Sequence, residues 1–170
     1  MTTFVHISDE RTGRSIERNG LRLPRTRQGF VETATLKHGV FAMPVISNFM
    51  ITHQWVRELK RRGYRTSVGV YFVVSDDEQV WIGRYNTPKR LVTAAHAART
   101  LRETEELGFE AIIPRSIRSS EIKYVRYISQ DVGWRYSPDS KGRTPCGCPY
   151  CIKGDIKSRR IRERYEANNP

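Results

Sequence analysis

Apolar positions in this chain fall into short runs separated by polar or proline-containing breaks, and the spacing inside each run predicts its element. The first run, FVHIS at 4–8, alternates, so Phe4, His6 and Ser8 share one face of a strand and Val5 and Ile7 the other. A short amphipathic helix is predicted over 15–18, closing where Asn19 and Gly20 tolerate left-handed backbone angles. Residues 22–37, with Pro24, Arg25 and Arg27, hold no sustained period and read as a basic loop. Val40, Phe41 and Ala42 form a buried strand, which Pro44 should keep from continuing as a central one. Thr52 is the predicted N-cap of a helix over 53–62, with Trp55, Val56 and Leu59 on one face.

Further along, SVGVYFVV at 67–74 and QVWIGR at 79–84 are both strands, and the short polar connection between them predicts a β-hairpin. After a break at 85–88, Leu91, Val92, Ala95, Ala98, Leu101 and Leu107 favour one side of a long helix over 89–107, ended by Gly108. FEAII at 109–113 is a strand stopped by Pro114, and Ile117 and Ile122 flank a turn before a last strand at 123–129. Strands interrupted by helices in this order predict an α+β fold in preference to a doubly wound parallel sheet. The principal domain is expected over 1–133. A C-terminal appendage over 134–170 begins with a Ser-, Gly- and Pro-rich stretch and carries CGCPYC and a basic helix at 155–166.

Composition adds two things. The 170 residues are 38% hydrophobic, enough for a real core, and no apolar run approaches the ~18 residues of a membrane span. With no apolar signal core at the N-terminus, the expectation is a cytoplasmic protein with no membrane partner. The net charge of +12 favours a polyanionic partner, RNA or DNA. A uniformly basic surface with no such partner accounts for the same number.

Cys146, Cys148 and Cys151 are odd in count and too clustered for a disulfide framework. Together they offer soft ligands to zinc, which would need a fourth ligand from His38, His53, His96, Asp155 or a partner. A reduced, metal-free turn is the plainer alternative. In the basic helix that follows, Ile161 and Tyr165 can dock on the domain while the arginines face phosphates, or the whole helix is simply solvated.

Among catalytic signatures, no phosphate-binding loop or GxGxxG follows a strand, and no nucleophile elbow is present. Glu103, Glu105 and Glu106 fit a solvated helix end. Glu110 is different, because it interrupts a strand of core residues. A carboxylate there needs a partner or a function, unless the strand lies at an edge where the side chain reaches water. His6, taken alone, is an ordinary strand histidine.

Taken in order, these features resemble the ADP-ribosyltransferase superfamily, especially its branch of nucleic-acid-modifying toxins and RNA 2′-phosphotransferases. The likeness rests on His6-Ile7-Ser8, on a helix ending in Asn19-Gly20-Leu21, on the aromatic Phe41 in a second strand, and on Glu110-Ala111-Ile112-Ile113-Pro114. It covers roughly residues 4–129.

The resemblance implies a split β-sheet with inserted helices that clamps NAD between its halves. His6 would bond the ribose next to adenine, supported by Ser8. The chain at Asn19, Gly20 and Leu21 would fix the nicotinamide amide or a phosphate edge, and Arg22 would suit the pyrophosphate. Phe41 would pack on the nicotinamide. Glu110, the catalytic carboxylate, would grip the 2′-hydroxyl of the nicotinamide ribose and stabilise the positive charge that builds on the sugar as its glycosidic bond breaks.

Superfamily members that modify protein arginines carry Gln or Glu two residues before this Glu. Here that position is Gly108, which points to a different acceptor. The expectation is therefore an NAD-dependent ADP-ribosyltransferase acting on RNA or DNA, in the manner of a toxin or phage-defence factor. Two alternatives stand beside it. One is a non-catalytic zinc-knuckle module that binds nucleic acid, and the other is an RNA 2′-phosphotransferase on the same fold.

Overall fold

Among the described residues the chain forms seven strands, six of them on stretches with predicted strand character: β1 (Thr2–Asp9), β2 (Val40–Pro44), β3 (Ser67–Val74), β4 (Gln79–Arg84), β5 (Arg90–Thr93), β6 (Phe109–Ile113) and β7 (Ile122–Tyr127). A computed structural model describes residues 1–23, 39–61, 64, 66–85, 87–130 and 132–133, all of them in the first of the chain's two units, Met1–Gly133. The strands make one antiparallel sheet in the order β5-β4-β6-β2-β1-β3-β7. Among the described residues four α-helices accompany it, α1 (Glu10–Asn19), α2 (Phe49–Thr52), α3 (Val56–Arg61) and α4 (Ala94–Thr104), with a 3-10 turn at Ser119–Glu121. The fold is α+β, as the order of elements predicts.

The sheet is not uniformly joined. β1 and β3 pair along their full length, from Thr2↔Val74 to Asp9↔Ser67. β1 and β2 register only at Phe4↔Pro44 and Val5↔Met43, and their ladder ends there. One half, β5-β4-β6-β2, thus meets the other, β1-β3-β7, along a short seam. Phe4 and Phe72 stack with ring centroids 6.2 Å apart in the core beside that seam. α1 packs on β3 and β7, where Gly13 sits against the side chains of Val68 and Val125. α4 lies by β4 and β5 and buries Ala94, Ala97, Ala98 and Leu101.

Several elements differ from their predicted form, each for a local reason. α1 starts at Glu10, five residues before its apolar stripe shows, because the Asp9 carboxylate accepts from the Arg11 N–H and caps it. β2 is a central strand after all, lying between β6 and β1. Pro44 is accommodated as its last residue, opposite Phe4. Thr52 caps nothing: its buried hydroxyl bonds the Ile46 backbone, Asn48 caps α2, and a turn separates α2 from α3.

The β3–β4 hairpin does not form. β1 and β7 occupy both edges of β3, while β4 pairs with β5 and β6, so the connection at 75–78 carries the chain from one half-sheet to the other. The long helix predicted over 89–107 opens as strand β5. Thr93 then ends the strand and caps α4 by accepting from the His96 N–H at 3.3 Å.

Among the described residues no helix is long and apolar enough to cross a membrane. Positions 24–37 of the predicted basic loop, the predicted appendage at 134–170 with Cys146, Cys148 and Cys151, and the basic helix predicted within it lie outside the described residues.

Candidate active site

Where the β1–β2 ladder stops, the two half-sheets leave a cavity of about 380 Å³. Its wall draws Val5, His6 and Ile7 from β1, Phe41, Ala42 and Met43 from β2, and Glu110 and Ala111 from β6. Trp55, Glu58 and Leu59, together with Tyr64 and Tyr85, complete it. Three residues far apart in sequence and singled out there, His6, Phe41 and Glu110, therefore face one space.

His6 spans the parting of the strands. Its Nδ1 lies 2.7 Å from the Phe41 carbonyl oxygen, His6 being one position and Phe41 two positions past the last registered pair, Val5↔Met43. A carbonyl only accepts, so Nδ1 carries the proton and the neutral ring keeps Nε2 as an acceptor. Burial lowers the His6 pKa below its ordinary 6.5, partly opposed by the bond to Phe41. The ring is thus held as the neutral Nδ1–H tautomer at pH 7, suited to receive a hydroxyl hydrogen bond. Phe41 itself is 45% exposed, an unusual amount for an aromatic in a central strand.

Glu110 is not on an edge strand. β6 lies between β4 and β2, and the carboxylate meets the ammonium of Lys89 at 2.8 Å. The backbone around it is fixed from outside the sheet. Trp55 Nε1 donates to the Phe109 carbonyl at 2.8 Å. Gln54, completely buried, accepts from the Gly108 N–H at 2.7 Å and donates to the Glu106 carbonyl. The Gln54-Trp55 turn therefore clamps both residues that precede Glu110. Trp55 and Tyr85 meet at 5.5 Å between ring centroids, giving the cavity an aromatic side suited to a flat heterocycle.

The other residues implied by the resemblance do not line this cavity. The Ser8 hydroxyl donates to Thr12 Oγ1, which in turn donates to the Asp9 carbonyl, and so secures the start of α1. Asn19 is exposed and bonds Ser15. Leu21 is buried and exchanges both backbone hydrogen bonds with Ile117 at 2.9 Å. Gly20 has φ +76, and a Cβ on it would stand 2.1 Å from the Ile117 oxygen, so glycine is required for that approach. Arg22 is exposed on the chain just after this bridge.

Sequence reasoning passed over Trp55, Tyr64, Tyr85, Glu58 and Lys89. Trp55 and Glu58 read as parts of a helix and Tyr85 as part of a break, while Tyr64 carried no reading. Lys89 had a signal that was incomplete: Glu110 demanded a cation, but spacing did not say which.

Of the candidate zinc ligands, His53 is committed elsewhere. Its Nδ1 donates to the Phe49 carbonyl at 2.9 Å and its Nε2 accepts from Tyr71 at 2.7 Å. Among the described residues no group of three or more His, Cys, Asp and Glu side chains could hold a metal. Comparison with protein-family models, with curated proteins and with solved structures finds no match.

Proposed function

We propose that this chain is an NAD-dependent ADP-ribosyltransferase of the superfamily's split-sheet type, with nucleic acid as acceptor. The observation that carries the reading is the cavity at the β1–β2 parting, with His6, Phe41 and Glu110 on its wall. These residues fit NAD: an acceptor nitrogen at His6 for a hydroxyl of the ribose next to adenine, aromatic surface at Phe41 and Trp55 for the nicotinamide, and a carboxylate for the nicotinamide ribose. When NAD is bound, its C1′–N bond breaks with both electrons leaving on nicotinamide. A nucleophile of the acceptor bonds C1′ and gives up its proton. Glu110 supplies fixed negative charge where positive charge grows, a contribution of order 10²–10³ in rate for comparable preorganised groups.

The acceptor assignment rests on charge, 30 Lys and Arg against 18 Asp and Glu. Gly108 adds to it, since its backbone is bound to Gln54 and its position carries no side chain to engage a protein arginine.

The test uses NAD labelled in the adenylate phosphate, incubated with single- and double-stranded RNA and DNA. Label should pass to at least one nucleic acid with stoichiometric nicotinamide release, and Glu110→Gln should lower the rate at least ~100-fold. Absence of nicotinamide release with every acceptor overturns the enzymatic reading. Labelling of protein alone overturns the acceptor. A cyclic phosphorylated ADP-ribose product from 2′-phosphorylated RNA would replace this reaction by phosphotransfer.

A further inference from the structure

Lys89 follows Pro88 and immediately precedes β5, and its side chain is only 8% exposed. Its Nζ lies 2.8 Å from Glu110 Oε2, donates to the Arg84 carbonyl at 2.5 Å and reaches the Thr87 carbonyl at 3.3 Å. An ammonium has three N–H donors, and these acceptors occupy all three. The cation is therefore tied to the β4–β5 turn by two backbone oxygens and presented to a single carboxylate oxygen.

The path of the Lys89 stem is cut through β4. Gly83 is the residue registered opposite Glu110. A Cβ at Gly83 would stand 2.8 Å from Lys89 Cδ and 2.9 Å from the Pro88 oxygen. Any side chain there would push the lysine away from the carboxylate.

We propose that Lys89, seated through Gly83, is a positioning residue for Glu110: it holds Oε2 and leaves Oε1 as the oxygen offered to the sugar. The inference rests on the ADP-ribosyltransferase reading. Its physical basis is that the terminal torsion of a glutamate is broad and soft. A carboxylate that must meet a growing charge gains from an anchor on one oxygen, since a displacement of 1 Å can cost on the order of 10²-fold in rate. The ion pair also gives a half-buried carboxylate the partner it requires.

The experiment measures kcat and KM for NAD by nicotinamide release, in the presence of the nucleic acid that serves wild type best. The variants are Lys89→Met, Lys89→Arg, Gly83→Ala and the Gly83→Ala/Lys89→Met pair, with circular dichroism and thermal melting to establish the folded fraction. Lys89→Met should lower kcat per folded enzyme at least ~30-fold with KM within ~3-fold. Lys89→Arg, which keeps the charge, should recover at least ~5-fold of that loss. Gly83→Ala should lower kcat as well, and the pair should be no slower than Lys89→Met alone, because both changes break one contact.

A merely structural lysine would lower the melting temperature and leave kcat per folded enzyme unchanged. A folded Lys89→Met with kcat within twofold of wild type therefore overturns the proposal. Should Lys89→Met not fold, Gly83→Ala decides by the same criterion. A wild type without NAD turnover overturns the functional reading and this inference with it, whereas an active wild type with insensitive variants overturns this inference alone.

Discussion

His6 and His53 each give an Nδ1–H to a backbone carbonyl, that of Phe41 and that of Phe49, and burial holds both imidazoles below their ordinary pKa of 6.5. The unfolded chain then binds more protons than the folded one as pH falls below 6.5, so stability rises with pH through that window and is lost on acidification. The carboxylates held low, Asp76, Asp77 and Glu121, act further down: their contribution persists above their ordinary range and is lost only in stronger acid. The urea midpoint should accordingly be level from pH 8 to 7 and drop between pH 6.5 and 5. His6→Gln and His53→Gln should each flatten that drop, whatever they do to the midpoint at pH 8. An undiminished slope in both variants would assign the acid sensitivity to other groups. At this scale the sequence singled out His6 and Glu110 by residue type and strand position. It did not show that the His6 ring ties two separating strands together, because that bond depends on where a non-local ladder ends.

The end of α1 shows how one residue joins two elements. Gly20 brings the chain against Ile117, past β6, and Leu21 completes a two-bond bridge there. Gly20→Ala forces a Cβ into a left-handed position 2.1 Å from a backbone oxygen, so the bridge must open. We expect a loss of more than about 2 kcal/mol in unfolding free energy. In the fraction that remains folded, KM for NAD should stay within twofold. A stable Gly20→Ala with a raised KM would instead give this backbone the cofactor contact that the resemblance implied. Gln54 invites the matching measurement at β6. Truncation to Ala strands the buried Gly108 N–H, at about 1–3 kcal/mol, and frees the partly exposed Glu106 carbonyl to water at smaller cost. Alternating strands and the Gly20 stop were legible because each is written in adjacent residues. β5 was not: Leu91 and Val92 satisfy a helical period as well as a strand, and only pairing with Val80 and Trp81 settles the choice.

For the whole molecule, strand order is the part that local pattern does not encode. β3 and β4 are neighbours in sequence with a short polar link, yet three strands lie between them in the sheet. The reason is burial. β3 is covered almost throughout and takes a full-length partner in β1, which leaves β4 to close the other half. The same arrangement creates the parting that holds the cavity, so the site is a product of topology more than of any one motif. Charge, by contrast, is legible at once, and it governs the remaining prediction. A chain carrying +12 that binds nucleic acid by neutralising phosphates releases counterions, and affinity must fall steeply with salt. For contacts with about six phosphates of a single strand, the fall between 50 and 200 mM NaCl is on the order of 10²-fold. Fluorescence anisotropy with an unmodified oligonucleotide should show at least a tenfold weakening over that range. Glu110→Gln should bind as wild type does at every salt concentration, because it alters chemistry and leaves the basic surface intact. Equal binding with transfer abolished separates recognition from catalysis. Salt-insensitive binding would remove the polyanion from the reading, and salt-sensitive binding without nicotinamide release would return the chain to the class of non-catalytic nucleic-acid modules.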